Sequence, residues 1–190
     1  MIDIHSHILP GIDDGSPDIR SSLKMAEIAA EDGIVSMIAT PHLTEEMSCG
    51  YINEQVGNFQ KILDQNKIDL KIFKGAEIPF RMLREEKNLV TLADSEFILA
   101  EFFPDYVPED AKDVFKSLLK QGYKIIIAHP ERNIVFLKKN NKLKNLLLPG
   151  VYTQVTAMSI KGSFGPSIKI FSHYLLKKNM IDFIATDAHD

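Results

Sequence analysis

Short apolar runs alternate with longer amphipathic stretches along this chain, and that alternation predicts its elements. The runs at 1–4, 34–39, 70–74, 97–101, 123–128, 151–155 and 181–185 read as β-strands. Between them, apolar residues recur at three- and four-residue spacing, the period of helices with one buried face. The first helix is expected to take Ser16 as N-cap and Pro17 as its first residue, with Gly33 just past its end. A second clear stretch runs from Glu109 to Gln121 and stops at Gly122, and Phe164 to Lys178 is the last.

Strands rich in Ile and Val, each followed by a helix, imply parallel βαβ units. Strand starts recur about every 30 residues, which suits a repeated βα unit. Seven strands at this spacing point to an α/β barrel one strand short of the usual eight. A doubly wound open sheet is the alternative, but its ligands gather at a single switch point. Here polar chemistry follows six of the seven strands, which favours closure into a ring. No linker or low-complexity tract interrupts the pattern, so residues 1–190 are expected to form one domain.

Composition narrows the partners. Apolar residues at 45% and charged residues at 25% suit an ordinary soluble globular protein. A net charge of -4 provides no general attraction to nucleic acid or anionic membranes. The basic cluster from Lys138 to Lys144 reads as a solvated helix face, with a docking patch for an acidic partner as the alternative. Cys49 is the only cysteine, which excludes an intrachain disulfide and suits a reducing compartment. The chain opens on a strand rather than a signal peptide, and no apolar run is long enough to span a membrane. A cytoplasmic protein without membrane insertion is expected. The chain ends one residue after His189 with no helix to cover strand seven, which implies either a truncated form or cover supplied by a homo-oligomer.

Candidate chemistry lies at the strand ends. His5 and His7 close the first strand, His42 follows the second, His129 the fifth, and Asp187 with His189 the last. Glu77 follows the third strand and Glu101 the fourth. In a parallel barrel all these ends open on one face, so distant residues converge, as a multinuclear metal site requires. His5-x-His7 and Asp187-x-His189 both place two donors on one side of an extended chain. Each residue also has a plainer reading. His42 and His129 suit surface or satisfied core positions, and Glu77 and Glu101 suit exposed strand-end acids. Asp13-Asp14-Gly15 suits a simple turn, or a loop from which Asp14 reaches the site. Arg132 suits either a bidentate grip on phosphate or a salt bridge with Glu131. His173, mid-helix, is expected to play no part. Mixed imidazole and carboxylate donors favour Mn, Zn or Fe over Mg or Ca.

The strings Met1-Ile2-Asp3-Ile4-His5-Ser6-His7, Gly11-Ile12-Asp13-Asp14-Gly15, Thr40-Pro41-His42, Gly75-Ala76-Glu77, Glu101-Phe102, His129-Pro130-Glu131-Arg132, Tyr152-Thr153-Gln154-Val155 and Thr186-Asp187-Ala188-His189 occur in this order over the whole chain. Together they resemble the polymerase-and-histidinol-phosphatase (PHP) superfamily, and within it the bacterial manganese-dependent tyrosine phosphatases of the CpsB/YwqE type. The resemblance implies a distorted seven-stranded (β/α)7 TIM-like barrel with up to three ions, most suitably Mn. It implies one ion held by His5, His7, Glu77 and Asp187, and a second by Glu77, Glu101 and His129. A third falls to Asp14, His42 and His189. The implied partner is a phosphotyrosine-containing protein, a bacterial tyrosine kinase that governs capsule or exopolysaccharide synthesis. The family also carries an arginine and closing helices beyond the final Asp-x-His motif. This chain ends at Asp190 without them, so impaired turnover with intact metal binding is expected.

The sequence argues against the other common phosphatase chemistries. A cysteine-dependent tyrosine phosphatase needs Cys-x5-Arg, and the residue six beyond Cys49 is Gln55. No Gly-x4-Gly-Lys-Ser/Thr phosphate cradle is present. Metal-assisted hydrolysis remains, with a metal-activated hydroxide attacking phosphorus in line and Arg132 stabilising the phosphoryl charge. The alternatives are a histidinol-phosphatase-like esterase with the same ligands, or a truncated, non-catalytic metal-binding regulator.

Overall fold

The computed structural model describes residues 1–190, with eight strands and eight α-helices. The chain divides into two compact units, one of residues 1–77, 90–95 and 186–190, the other of residues 78–89 and 96–185.

In the first unit, β1 (Ile2–Ser6), β2 (Ser36–Ala39) and β3 (Lys71–Lys74) form a parallel sheet in that order. Two helices connect them, α1 (Ile19–Glu31) and α2 (Cys49–Gln65). On α2, Ile52, Val56, Phe59 and Leu63 make a buried stripe at helical spacing, and Ser48 caps it by accepting the Tyr51 N–H. The start of α1 departs from the sequence expectation. Asp18, not Ser16, is the N-cap, its carboxylate accepting the Ser21 N–H at 2.8 Å. Ser16 turns inward instead, donating to the Asp18 carbonyl and accepting from the Ser22 hydroxyl. Both residues are good caps, and only tertiary burial decides between them.

In the second unit, β5 (Phe97–Glu101), β6 (Lys124–Ala128), β7 (Val151–Thr156) and β8 (Phe183–Ala185) pair in parallel, with Ile78 and Pro79 of the short β4 (Glu77–Pro79) next to β5. Ile98, Leu99, Ile125, Ile126 and Ile127 are all buried, as a parallel sheet covered on both faces demands. All seven expected strands are present, and β4 corrects the count to eight. Three residues ending in proline carry no readable periodicity. The fold is α/β with parallel sheets.

The unit's helices are α3 (Phe80–Glu85), α4 (Ala111–Lys120), α5 (Ile134–Lys138), α6 (Asn140–Leu146), α7 (Ala157–Lys161) and α8 (Pro166–Lys177). Phe80, Phe102, Phe115 and Phe136 interlock here, with ring centroids 5.0–6.0 Å apart, and all four are buried. On α6, Lys142 and Lys144 face solvent while Leu143 and Leu146 are buried, so the basic cluster lies on a solvated face. Ile184 of β8 is 52% exposed. No helix is long and apolar enough to cross a membrane.

Phe115 is fully buried and packs against both Phe80 and Phe102 of the phenylalanine cluster. Phe115→Ala is therefore expected to cost about 3–5 kcal/mol of stability, measured by chemical denaturation. A loss below about 1 kcal/mol would show that this cluster is not the unit's core.

Candidate metal centre

Strand β1 begins the site. Its alternation puts Asp3, His5 and His7 on one side, and all three are buried. The last residues of the chain lie alongside: Asp187 N–H donates to the His5 carbonyl at 2.9 Å, and His7 N–H to the Ala188 carbonyl at 2.8 Å. Asp3 fastens the same segment by accepting the backbone N–H of Thr186 at 3.1 Å and its hydroxyl. On the other flank, Thr40 N–H donates to the Ser6 carbonyl at 2.8 Å. Glu77 pairs around His42, donating to the Pro41 carbonyl and accepting from Leu43 N–H. These bonds bring residues 5, 7, 42, 77 and 187 together in the first unit.

One donor cluster comprises His5, His7, Glu77 and Asp187, each wholly or almost wholly buried. The two histidine Nε2 atoms are 3.2 Å apart. Glu77 Oε2 lies 3.4 Å from each of them, and Asp187 Oδ1 lies 3.2 and 3.5 Å away. Donors about 2.1 Å from a shared ion at the corners of a tetrahedron are about 3.4 Å apart, so the spacing fits a transition metal. A second cluster comprises His7, Asp14, His42 and His189. Asp14 Oδ1 is 3.4 Å from His42 Nε2 and 3.7 Å from His189 Nε2. This pocket is more open, with the His42 and His189 side chains 31% and 33% exposed and Asp14 68%. Glu77 Oε2 also lies 3.2 Å from His42 Nδ1, and so touches both groups.

The electrostatics suit an acceptor of cations. Burial acts to depress His5 and His7, but the carboxylates outweigh it. Glu77 and Asp187 hold His5 above its ordinary value. Hydrogen bonds with Asp13, Asp187 and Glu77 push His7 up to about 11. Burial holds His42 down. Burial also raises Asp3, against the hydrogen bonds from Thr186. The backbone at Asp187 is in the left-handed region, φ 53°, where a non-glycine residue is strained, as it often is at functional positions.

The remaining expected residues belong to the second unit. Glu101 ends β5, half-buried. His129 follows β6, buried and in the left-handed region at φ 29°. Arg132 lies in the turn Pro130–Arg132, its guanidinium over the Phe164 ring at 5.4 Å. Neighbouring Glu131 is fully buried and accepts the Thr156 N–H at 3.0 Å. His173 sits exposed on α8 against the Ile160 carbonyl.

Two acids escaped the sequence reading as site residues. Asp13, whose place in Asp13-Asp14-Gly15 suits a turn, hydrogen-bonds His7 Nδ1 at 2.7 Å. Asp3 had one signal, its place two residues before His5 on the inward side of a strand.

The family model for capsular polysaccharide synthesis, CpsB/CapC, matches residues 1–190. Tyrosine-protein phosphatase YwqE of Bacillus subtilis is 38% identical over 197 residues, covering 100% of this chain and 78% of the relative. CapC of Staphylococcus aureus is 31% identical, covering 100% of this chain and 77% of that one. A chain from the crystal structures of YwqE from Bacillus subtilis and CpsB from Streptococcus pneumoniae, described as unique metal-dependent tyrosine phosphatases, superposes with a TM-score of 0.94. It is 38% identical, and the match covers 100% of this chain and 80% of that one. With the family model matched from the first residue to the last, the chain belongs to the CpsB/CapC family of capsular polysaccharide synthesis.

Proposed function

We propose that residues 1–190 act as one catalytic domain, a metal-dependent phosphoric monoester hydrolase that removes phosphate from tyrosine side chains of a protein. The carrying observation is the buried group His5, His7, Glu77 and Asp187, with its nearest donor atoms 3.2–3.5 Å apart. The substrate class follows from the relatives, YwqE above all. A bacterial tyrosine kinase controlling capsule or exopolysaccharide synthesis is the physiological partner we infer, and the cytoplasm the compartment.

His5, His7, Glu77 and Asp187 hold one ion, and Asp14, His42 and His189 another. Glu101 and His129 are the residues we assign to a further ion, on the strength of the family resemblance. Manganese is the metal we infer, on the strength of the family resemblance, since the donors themselves suit Mn, Zn or Fe alike. When bound, such ions lower the pKa of coordinated water and neutralise charge on phosphoryl oxygens. The chain's own residues do the rest. The carboxylates of Glu77 and Asp187 fix where positive charge gathers, and burial keeps that charge unscreened. Arg132, whose planar guanidinium lies over the Phe164 ring, is the residue we assign to the phosphoryl oxygens. Tyrosyl phenolate is a moderately good leaving group, so the residues need supply little acid catalysis.

Purified protein with added Mn is expected to hydrolyse phosphotyrosyl peptide in preference to histidinol phosphate and nucleotide esters. Faster turnover of either rival ester would reassign the substrate, and bound Mn without turnover of any would make the protein a non-catalytic metal binder. His5→Ala and Asp187→Ala are each expected to cut metal content and to lower kcat/KM by more than the roughly 100-fold ceiling of outer-shell losses. Full turnover in either variant would refute the ligand assignment. Arg132→Ala is expected to lower kcat/KM about 100- to 1,000-fold with metal content intact.

Ion uptake is expected to release protons. His7 is pushed up to about 11 and so carries a proton at neutral pH, and His5 is held above its ordinary value; an ion at Nε2 displaces such protons. Affinity therefore rises with pH and weakens as pH falls, a trend readable by calorimetry in buffers of different ionisation enthalpy. Uptake with no proton release would contradict it.

A further inference from the structure

Three hydrogen-bond donors converge on Asp13, a residue outside every ligand set above. Its Oδ2 lies 2.7 Å from His7 Nδ1 and accepts the His42 backbone N–H at 3.0 Å, while Oδ1 accepts the Gly15 N–H at 3.1 Å. Only an acceptor on both atoms satisfies all three, and an asparagine would turn an NH2 group onto one of the donors. The side chain is 5% exposed, so water cannot substitute for a lost bond at little cost.

The loop is built to bring this carboxylate to the imidazole. A Cβ at Gly15 would lie 2.3 Å from His7 Cβ and 2.4 Å from the His7 carbonyl oxygen, distances that only glycine avoids. Ser16 N–H then donates to that carbonyl at 3.1 Å and closes the loop over His7.

We infer that Asp13 is a positioning residue serving both ion pockets at once. Its bond to Nδ1 fixes the ring of His7 and leaves Nε2 as the atom directed at His5, Glu77 and Asp187, 3.2–3.5 Å away. The same oxygen holds the backbone at His42, whose ring belongs to the second pocket. Carboxylates that orient metal-binding imidazoles in this way commonly contribute 10- to 100-fold in metal affinity. Here one carboxylate orients a ligand in each pocket, so its loss weakens both rather than one. This rests on the metal-binding reading proposed above.

The test is Mn titration by calorimetry of wild-type protein, Asp13→Asn and Asp13→Ala, with ions counted by elemental analysis after dialysis. A second measurement is the imidazole nitrogen-15 spectrum of Zn-loaded wild-type protein, with His7 assigned by comparison with His7→Gln. Asp13→Asn is expected to bind roughly 10- to 100-fold more weakly at both pockets with unchanged circular dichroism. The wild-type spectrum is expected to show His7 protonated at Nδ1. Asp13→Asn binding within twofold of wild type, weakening confined to one pocket, or a His7 proton on Nε2 would each overturn the inference while leaving the metal reading intact. Wild-type protein that takes up no Mn or Zn would instead overturn the metal reading, and this inference with it. Should both variants fail to fold, the wild-type spectrum decides.

Discussion

Parallel pairing of the two ends of the chain is the constraint on which the site depends. The bonds from Asp187 N–H to the His5 carbonyl and from His7 N–H to the Ala188 carbonyl are ordinary sheet bonds. They nonetheless place an imidazole from position 5 within 3.2 Å of a carboxylate from position 187. The entropy of closing so long a loop grows only slowly with its length, so the expense lies in ordering the ends. Asp3 meets part of it by holding Thr186 through both backbone and hydroxyl. Everything else about the cluster follows from this registry. A slip of one residue would turn Asp3, His5 and His7 to the opposite face together.

Burial of so many ionisable groups is the second constraint. Isolated carboxylates and imidazoles are costly away from water, and a cluster is tolerable only if opposite charges face each other. Here Glu77 Oε2 faces nitrogens of three histidines, and Asp187 Oδ1 faces three as well. An apolar core of the same volume would be simpler to fold. Retention of such a group therefore points to work done by the site rather than to stability.

The fold was largely legible in the sequence because parallel strands buried on both faces are written as continuous apolar runs, such as Ile125 to Ile127. Where signals were local and competing, the outcome depended on tertiary surroundings. Ser16 and Asp18 are equally good caps, and burial of Ser16 decided for Asp18. The strand at Glu77–Pro79 was too short to be seen. Among candidate site residues, the paired spacings His5-x-His7 and Asp187-x-His189 carried the signal, whereas a single strand-end histidine such as His42 suits a surface or core position as well. Asp13 carried no such signal, because an acid before a glycine is ordinary turn chemistry. Its role depends on a close approach to His7 that only three dimensions reveal.

The two pockets differ greatly in shelter. The first is lined by side chains that are 0–1% exposed, whereas Asp14, at the mouth of the second, is 68% exposed. Ions that occupy them would consequently leave in a fixed order under a chelator, the outer one rapidly and the inner one only as the surrounding chain breathes. Protein isolated without supplementary metal would then be a partly loaded species, and its specific activity would report the history of the preparation as much as the enzyme itself.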